Sequence, residues 1–144
     1  MGQISDCVNR LAASATFAMM QKSNELAAQG VNVVNMSVGE PDFNTPDYVK
    51  TAAKQAIDDN YSTYSPVPGY MSLRKACSDK LKRENNLDYA PTQIVVSTGA
   101  KQSLCNAIMA VVNPGDEVLL PSPCWVSYPE MVKLAGGVPV VIKA

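Results

Sequence analysis

With 144 residues, 47% of them hydrophobic and 17% charged, the chain has room for one ordinary globular core, and a second complete domain is not expected. Twelve basic residues against thirteen acidic ones leave a formal charge of -1, which excludes the basic footprint of a protein that holds nucleic acid or an anionic membrane. The absence of histidine removes Ser-His and Cys-His nucleophilic pairs, and Cys7, Cys77, Cys105 and Cys124 form no C-x-x-C pair, so they read as free thiols in a reducing cytosol.

Residues 11–20, LAASATFAMM, resemble a short signal core, but Asp6 precedes them and Gln21, Lys22, Asn24 and Glu25 continue an amphipathic helix, so the segment reads as mature protein. No apolar run approaches the roughly 18 residues that span a bilayer. Met1-Gly2-Gln3-Ile4-Ser5-Asp6 sets its serine one position too early for myristoylation. A soluble cytoplasmic protein is expected.

The first predicted helix covers Ser14 to Gln29, with Gly30 placed to end it in the left-handed region. Val31 to Val38 is rich in β-branched residues and predicts a strand, broken by Gly39-Glu40-Pro41-Asp42. A second helix is expected from a Thr45 cap, with Pro46 as its first residue, to about Asp59, carrying the apolar stripe Val49, Ala52, Ala53, Ala56 and Ile57. Pro66, Pro68 and Gly69 make Tyr61 to Tyr70 an ordered loop or short strand, and a third helix follows over Met71 to Asn85. Beyond Pro91 the pattern alternates: strand Ile94 to Ser97, helix Lys101 to Val112, strand Glu117 to Leu120, helix Ser127 to Leu134, strand Val138 to Ile142. Asn113-Pro114-Gly115-Asp116 and Gly136-Gly137 punctuate it, and the alternation implies an α/β fold. Ending on a strand at Lys143-Ala144, the chain reads as the front of a larger domain.

Two local features bear on chemistry. Ser97-Thr98-Gly99-Ala100-Lys101-Gln102 lies where a strand runs into a helix, a place where backbone N–H groups bind phosphate and glycine lets a ligand approach. An ordinary helix start explains the same residues, since neither G-x-x-x-x-G-K-[ST] nor G-x-G-x-x-G spacing is present. Trp125, the single tryptophan, follows the carboxyl end of a predicted strand within Pro121-Ser122-Pro123-Cys124-Trp125, on the rim where α/β sheets bind ligands. It is also the size of an ordinary core aromatic.

In chain order, Val38-Gly39-Glu40-Pro41-Asp42-Phe43-Asn44-Thr45-Pro46, Tyr64-Ser65-Pro66 with Gly69, Leu73-Arg74, Ser97 to Gln102, Asn113-Pro114-Gly115-Asp116-Glu117-Val118 and Trp125-Val126-Ser127-Tyr128-Pro129 are similar to the motifs of class I aminotransferases. The resemblance covers the whole chain and is strongest to the bacterial aspartate aminotransferase branch of fold type I. It implies residues 1–45 as an amino-terminal arm and part of a small domain, and 46–144 as the first part of a large domain that binds pyridoxal 5'-phosphate on a mostly parallel sheet with flanking helices.

The same resemblance implies roles residue by residue. Gly99, Ala100 and Lys101 would hold the cofactor phosphate, Trp125 would stack on the cofactor ring and help hold substrate, and Tyr64 would reach the cofactor of a neighbouring subunit in a homodimer. Gly39 would approach the substrate's α-carboxylate, with a plain turn glycine as the alternative. Ser14, Thr16 and Lys101 would line the region of the substrate's side-chain carboxylate, or be helix caps and a surface lysine. Cys124 departs from the aromatic residue common beside the tryptophan. The lysine that links covalently to the cofactor lies in the family beyond residue 144, so no catalytic residue is assigned. The implied activity is transfer of the amino group of L-aspartate to 2-oxoglutarate. Aromatic or prephenate-type transamination, a ligand-sensing domain and a non-functional remnant stand as alternatives.

Overall fold

The ladder that organises the carboxyl-terminal part of the chain pairs two parallel strands, β1 (Glu117–Ser122) and β2 (Val138–Lys143), in register from Glu117 opposite Val138 to Ser122 opposite Lys143. A computed structural model describes residues 4–144; the myristoylation reading at Met1-Gly2-Gln3 lies largely outside them. The helices are α1 (Asp6–Asn9), α2 (Ala15–Ala28), α3 (Asp47–Asp58), α4 (Met71–Asn85), α5 (Ala100–Val111) and α6 (Ser127–Leu134), with one 3-10 turn at Pro91–Gln93. Backbone contacts divide these into two units, one made by Met1–Glu40 with Leu104–Ala144 and the other by Pro41–Ser103.

In the first unit, α6 is the crossover that a parallel pair requires. Val132 on α6 is fully buried, and Met131 and Leu120 complete the core. The ladder is seeded just ahead of the strands, where Gly115 N–H donates to Gly136 O and Val138 N–H to Asp116 O. Asn113 N–H donates to Asp116 Oδ2 at 2.7 Å, so the predicted Asn-Pro-Gly-Asp turn is closed by its own aspartate. The helix α2 starts on Ser14, whose Oγ accepts from Phe17 N–H at 3.5 Å, and Gly30 takes φ +81° as expected of a left-handed terminator.

In the second unit, α4 ends at Asn86 in the left-handed region (φ 56°), with Leu87 N–H returning to Leu81 O. Tyr61 and Tyr70 pack edge to face across the intervening loop, their ring centroids 5.6 Å apart. The one buried charged side chain among the described residues is Arg74 on α4, whose Nε donates to Ile94 O at 2.8 Å.

Four expectations need correction. Val31 to Val38 and Ile94 to Ser97 are extended but form no strand, because neither pairs in a ladder with another extended segment among the described residues. In the former, Asn35 Oδ1 also accepts from Ser37 N–H and Oγ–H, which folds the side chain onto its own backbone. Thr45 is not the cap of α3: Pro46, at ψ 144°, stands outside the helix and its carbonyl accepts from Val49 and Lys50. The short α1 and the 3-10 turn were not foreseen, since each is too brief to carry an apolar period.

Candidate functional site

The turn that launches α5 is built by residues 97–103. Gly99 N–H donates to Ser97 O at 2.9 Å, Thr98 N–H is taken by the Gln102 side chain, and Ser103 N–H donates back to Gly99 O. Ala100 opens the helix, so its N–H precedes the ladder and points out of the helix end. Gly99 sits at φ +84°, where a side chain is strained, and a Cβ added there would meet nothing within 4 Å. The turn is therefore an open cradle with a positive helix terminus above it, which suits an anion.

What holds that cradle lies upstream in the same unit. Segment 94–97 is pinned at both ends, by Arg74 Nε on Ile94 O and by Val96 N–H on Pro68 O at 3.0 Å. Gly69, at φ +95°, packs so closely that an added Cβ would come within 2.9 Å of Val96 Cβ and Cγ2. Arg74 and Gly69 were seen in the sequence only as parts of motifs. Their role in carrying the cradle depends on contacts some twenty residues away, which no local pattern reveals.

Tyr64, also in this unit, is fully exposed and lines an open hollow of about 500 Å³ with Ser62 and Thr63. It makes no hydrogen bond or ring contact among the described residues. Lys101 follows Ala100 in the first turn of α5 and is exposed.

The remaining sequence candidates belong to the first unit. Trp125 lies three residues past the end of β1, 40% exposed, with its ring edge to face against Tyr128 at 5.6 Å. The loop before it contains a cis Ser122-Pro123 bond. Thr16 lines an open groove of about 420 Å³ with Met19 and Ser23 of α2 and Val34, Met36 and Ser37 of the extended segment. Ser14 caps α2, its Oγ accepting from Phe17 N–H. Gly39 is not in the left-handed region, and a Cβ placed there would touch nothing within 4 Å. Glu130 on α6 accepts from Lys133 Nζ at Oε1, an i,i+3 helix pair, and at Oε2 from the Ala12 N–H, a contact no spacing rule suggests, both at 2.8 Å. These two hydrogen bonds hold its carboxyl below the usual glutamate range.

The family model for class I and II aminotransferases matches residues 31–144. The chain belongs to that family. It is 51% identical over its whole length to an aspartate/prephenate aminotransferase of Cereibacter sphaeroides and 47% identical over 137 residues to an aspartate aminotransferase of a Bacillus species. Its fold superposes with a TM-score of 0.94, at 45% identity, on the aspartate aminotransferase of Thermus thermophilus solved with maleate. That match covers all of this chain and 38% of the solved one; the chain likewise spans 36% of the Cereibacter protein. The α/β architecture is that of the amino-terminal portion of these aminotransferases. Among the described residues no helix is long and apolar enough to cross a membrane, and no cluster of His, Cys, Asp or Glu is placed to hold a metal.

Proposed function

We propose that this chain is the amino-terminal part of a pyridoxal-phosphate-dependent aspartate aminotransferase acting on L-aspartate and 2-oxoglutarate. The observation that carries the proposal is the open cradle at Gly99, which joins a glycine needed for its backbone conformation to unfilled space and a helix N-terminus. The φ of +84° favours glycine, and the space beside it is open to a phosphate.

In this reading the backbone at Gly99, Ala100 and Lys101 holds the cofactor phosphate, with Arg74 and Gly69 fixing the segment that leads into it. Pyridoxal phosphate, when bound, supplies an aldehyde on an electron-withdrawing ring that loosens the substrate's α-proton and carries the amino group between substrates. Trp125 offers a flat aromatic surface to the ring and shields one side from water. Gly39 keeps the path to the substrate's α-carboxylate open, and Ser14, Thr16 and Lys101 favour a second carboxylate by hydroxyl and cationic donors. Tyr64 reaches into a second subunit, so the active site is a property of a homodimer. The proton transfers belong to groups beyond residue 144, as does the covalent attachment of the cofactor. Residues 1–45 serve as arm and small-domain segment and 46–144 as the start of the large domain, in a cytoplasmic enzyme. A second substrate reading, prephenate as amino acceptor, is favoured by the name of the Cereibacter relative.

The test is to purify the protein at its native length, titrate it with pyridoxal phosphate, and assay aspartate with 2-oxoglutarate beside prephenate. Borohydride-reducible cofactor absorbance with oxaloacetate formation is expected. Absence of cofactor binding, or turnover restricted to aromatic or branched amino acids, refutes the reading. Residues 1–144 alone are expected to bind cofactor weakly and to transaminate nothing.

A further inference from the structure

The stretch between α1 and α2 is tied to the rest of its unit by the Glu130 side chain. Ala12 N–H donates to Glu130 Oε2 across 118 residues of sequence, and the other carboxylate oxygen is occupied by Lys133. Cys7 Sγ adds a thiol hydrogen bond to Leu134 O at 3.3 Å, so α1 and the residues after it dock along α6. Glu130 and Lys133 are both largely covered, with side chains 26% and 35% exposed, and each restrains the other's rotation.

The anchor is firm on one side only. Helix α6 carries Met131 and Val132 into the core and starts two residues after Trp125, whose ring rests against Tyr128 of that helix. The arm carries no buried residue: α1 and α2 both lie on the surface. Ala12 is two residues before Ser14 and four before Thr16. Placement of Ser14 and Thr16 relative to Trp125 therefore runs through the Glu130 carboxylate.

We infer that Glu130 is a positioning residue that fastens the arm to α6 and so sets where Ser14 and Thr16 meet the distal carboxylate of a dicarboxylic substrate. The inference rests on the substrate reading above for its kinetic consequence, while the fastening itself does not. Glutamine at 130 keeps an acceptor oxygen for Ala12 N–H and loses the charge. Alanine removes both.

Three forms of the native-length holoenzyme separate the possibilities: wild type, Glu130→Gln and Glu130→Ala. Hydrogen exchange is measured at the Ala12 amide and along α6, with cofactor affinity, KM and kcat for aspartate beside them. In Glu130→Ala the Ala12 amide is expected to exchange at least about tenfold faster, with α6 protection and cofactor affinity unchanged, and KM for aspartate to rise about three- to tenfold with kcat nearly constant. Glu130→Gln should recover most of both. Unchanged Ala12 exchange in Glu130→Ala overturns the fastening. A joint fall of kcat, cofactor affinity and α6 protection overturns positioning in favour of a general structural role. If Glu130→Ala fails to fold, Glu130→Gln decides: a glutamine variant that folds but exchanges Ala12 as fast as the free chain also overturns the proposal. Wild-type enzyme that ignores aspartate defeats the substrate reading, and the exchange result still judges the fastening.

Discussion

Alanine at position 69 tests whether the cradle at Gly99 is carried from below. The backbone cost of a non-glycine residue in the left-handed region is about 1–2 kcal/mol. The new Cβ would also stand 2.9 Å from both Val96 Cβ and Cγ2. Rotation of the valine cannot relieve the contact, because Cβ is fixed to a backbone that itself bonds to Pro68 O. Forcing such an overlap adds about 1–3 kcal/mol, while the stiffer unfolded chain offsets about 0.4–1 kcal/mol of the loss. The net expectation is a loss of about 2–4 kcal/mol. Gly99→Ala supplies the control, since its φ of +84° carries the same backbone cost while the added Cβ meets nothing. Urea unfolding followed by far-UV circular dichroism, with cofactor titration at low urea, reads both variants. Gly69→Ala should be clearly the less stable of the two, and Gly99→Ala should lose more cofactor affinity per unit of stability lost. Equal urea midpoints would refute the steric account of Gly69, and unaltered cofactor affinity in Gly99→Ala would refute the cradle.

Tyr64→Ala should change monomer stability by no more than about 0.5 kcal/mol, because the side chain is fully exposed and unpartnered among the described residues. In the same variant, cofactor affinity and the subunit dissociation constant should both weaken; sedimentation and cofactor titration measure them. For pH, Glu130 has a folded pKa held below its unfolded one by Lys133 and the Ala12 N–H, so its stabilisation is present above the unfolded value and lost as pH falls through the folded one. The urea-midpoint difference between wild type and Glu130→Gln should therefore persist at neutral pH and close as pH falls below the ordinary glutamate range. A difference that grows on acidification would contradict the assignment.

Helices α4 and α6 were legible in the sequence, α4 from its long run of helix-forming residues and α6 from the Gly136-Gly137 stop that follows it. The strand expectations divided by a different rule. Glu117 to Leu120 and Val138 to Ile142 became a ladder because α6 returns one beside the other, whereas Val31 to Val38 and Ile94 to Ser97 have equally suitable residues and no paired strand among the described residues. Strand propensity describes a surface that accepts a partner, and supplies none. The cradle was legible because its determinants are consecutive in sequence. Glu130 was not, because its partner Ala12 lies 118 residues away and a surface glutamate three residues before a lysine reads as a common helix pair.

The edge-to-face pair of Trp125 and Tyr128 also makes the protein its own optical instrument. With one indole in the chain and a phenol ring 5.6 Å from it, light absorbed by Tyr128 is handed to Trp125 before it can be emitted, so the indole emission reports on a single place. That place is the loop after β1. A flat, conjugated molecule laid on the half-exposed indole would darken it, and slackening of the loop would restore the tyrosine's own violet-side emission. The two events carry opposite spectral signs, and one cuvette distinguishes them without a label.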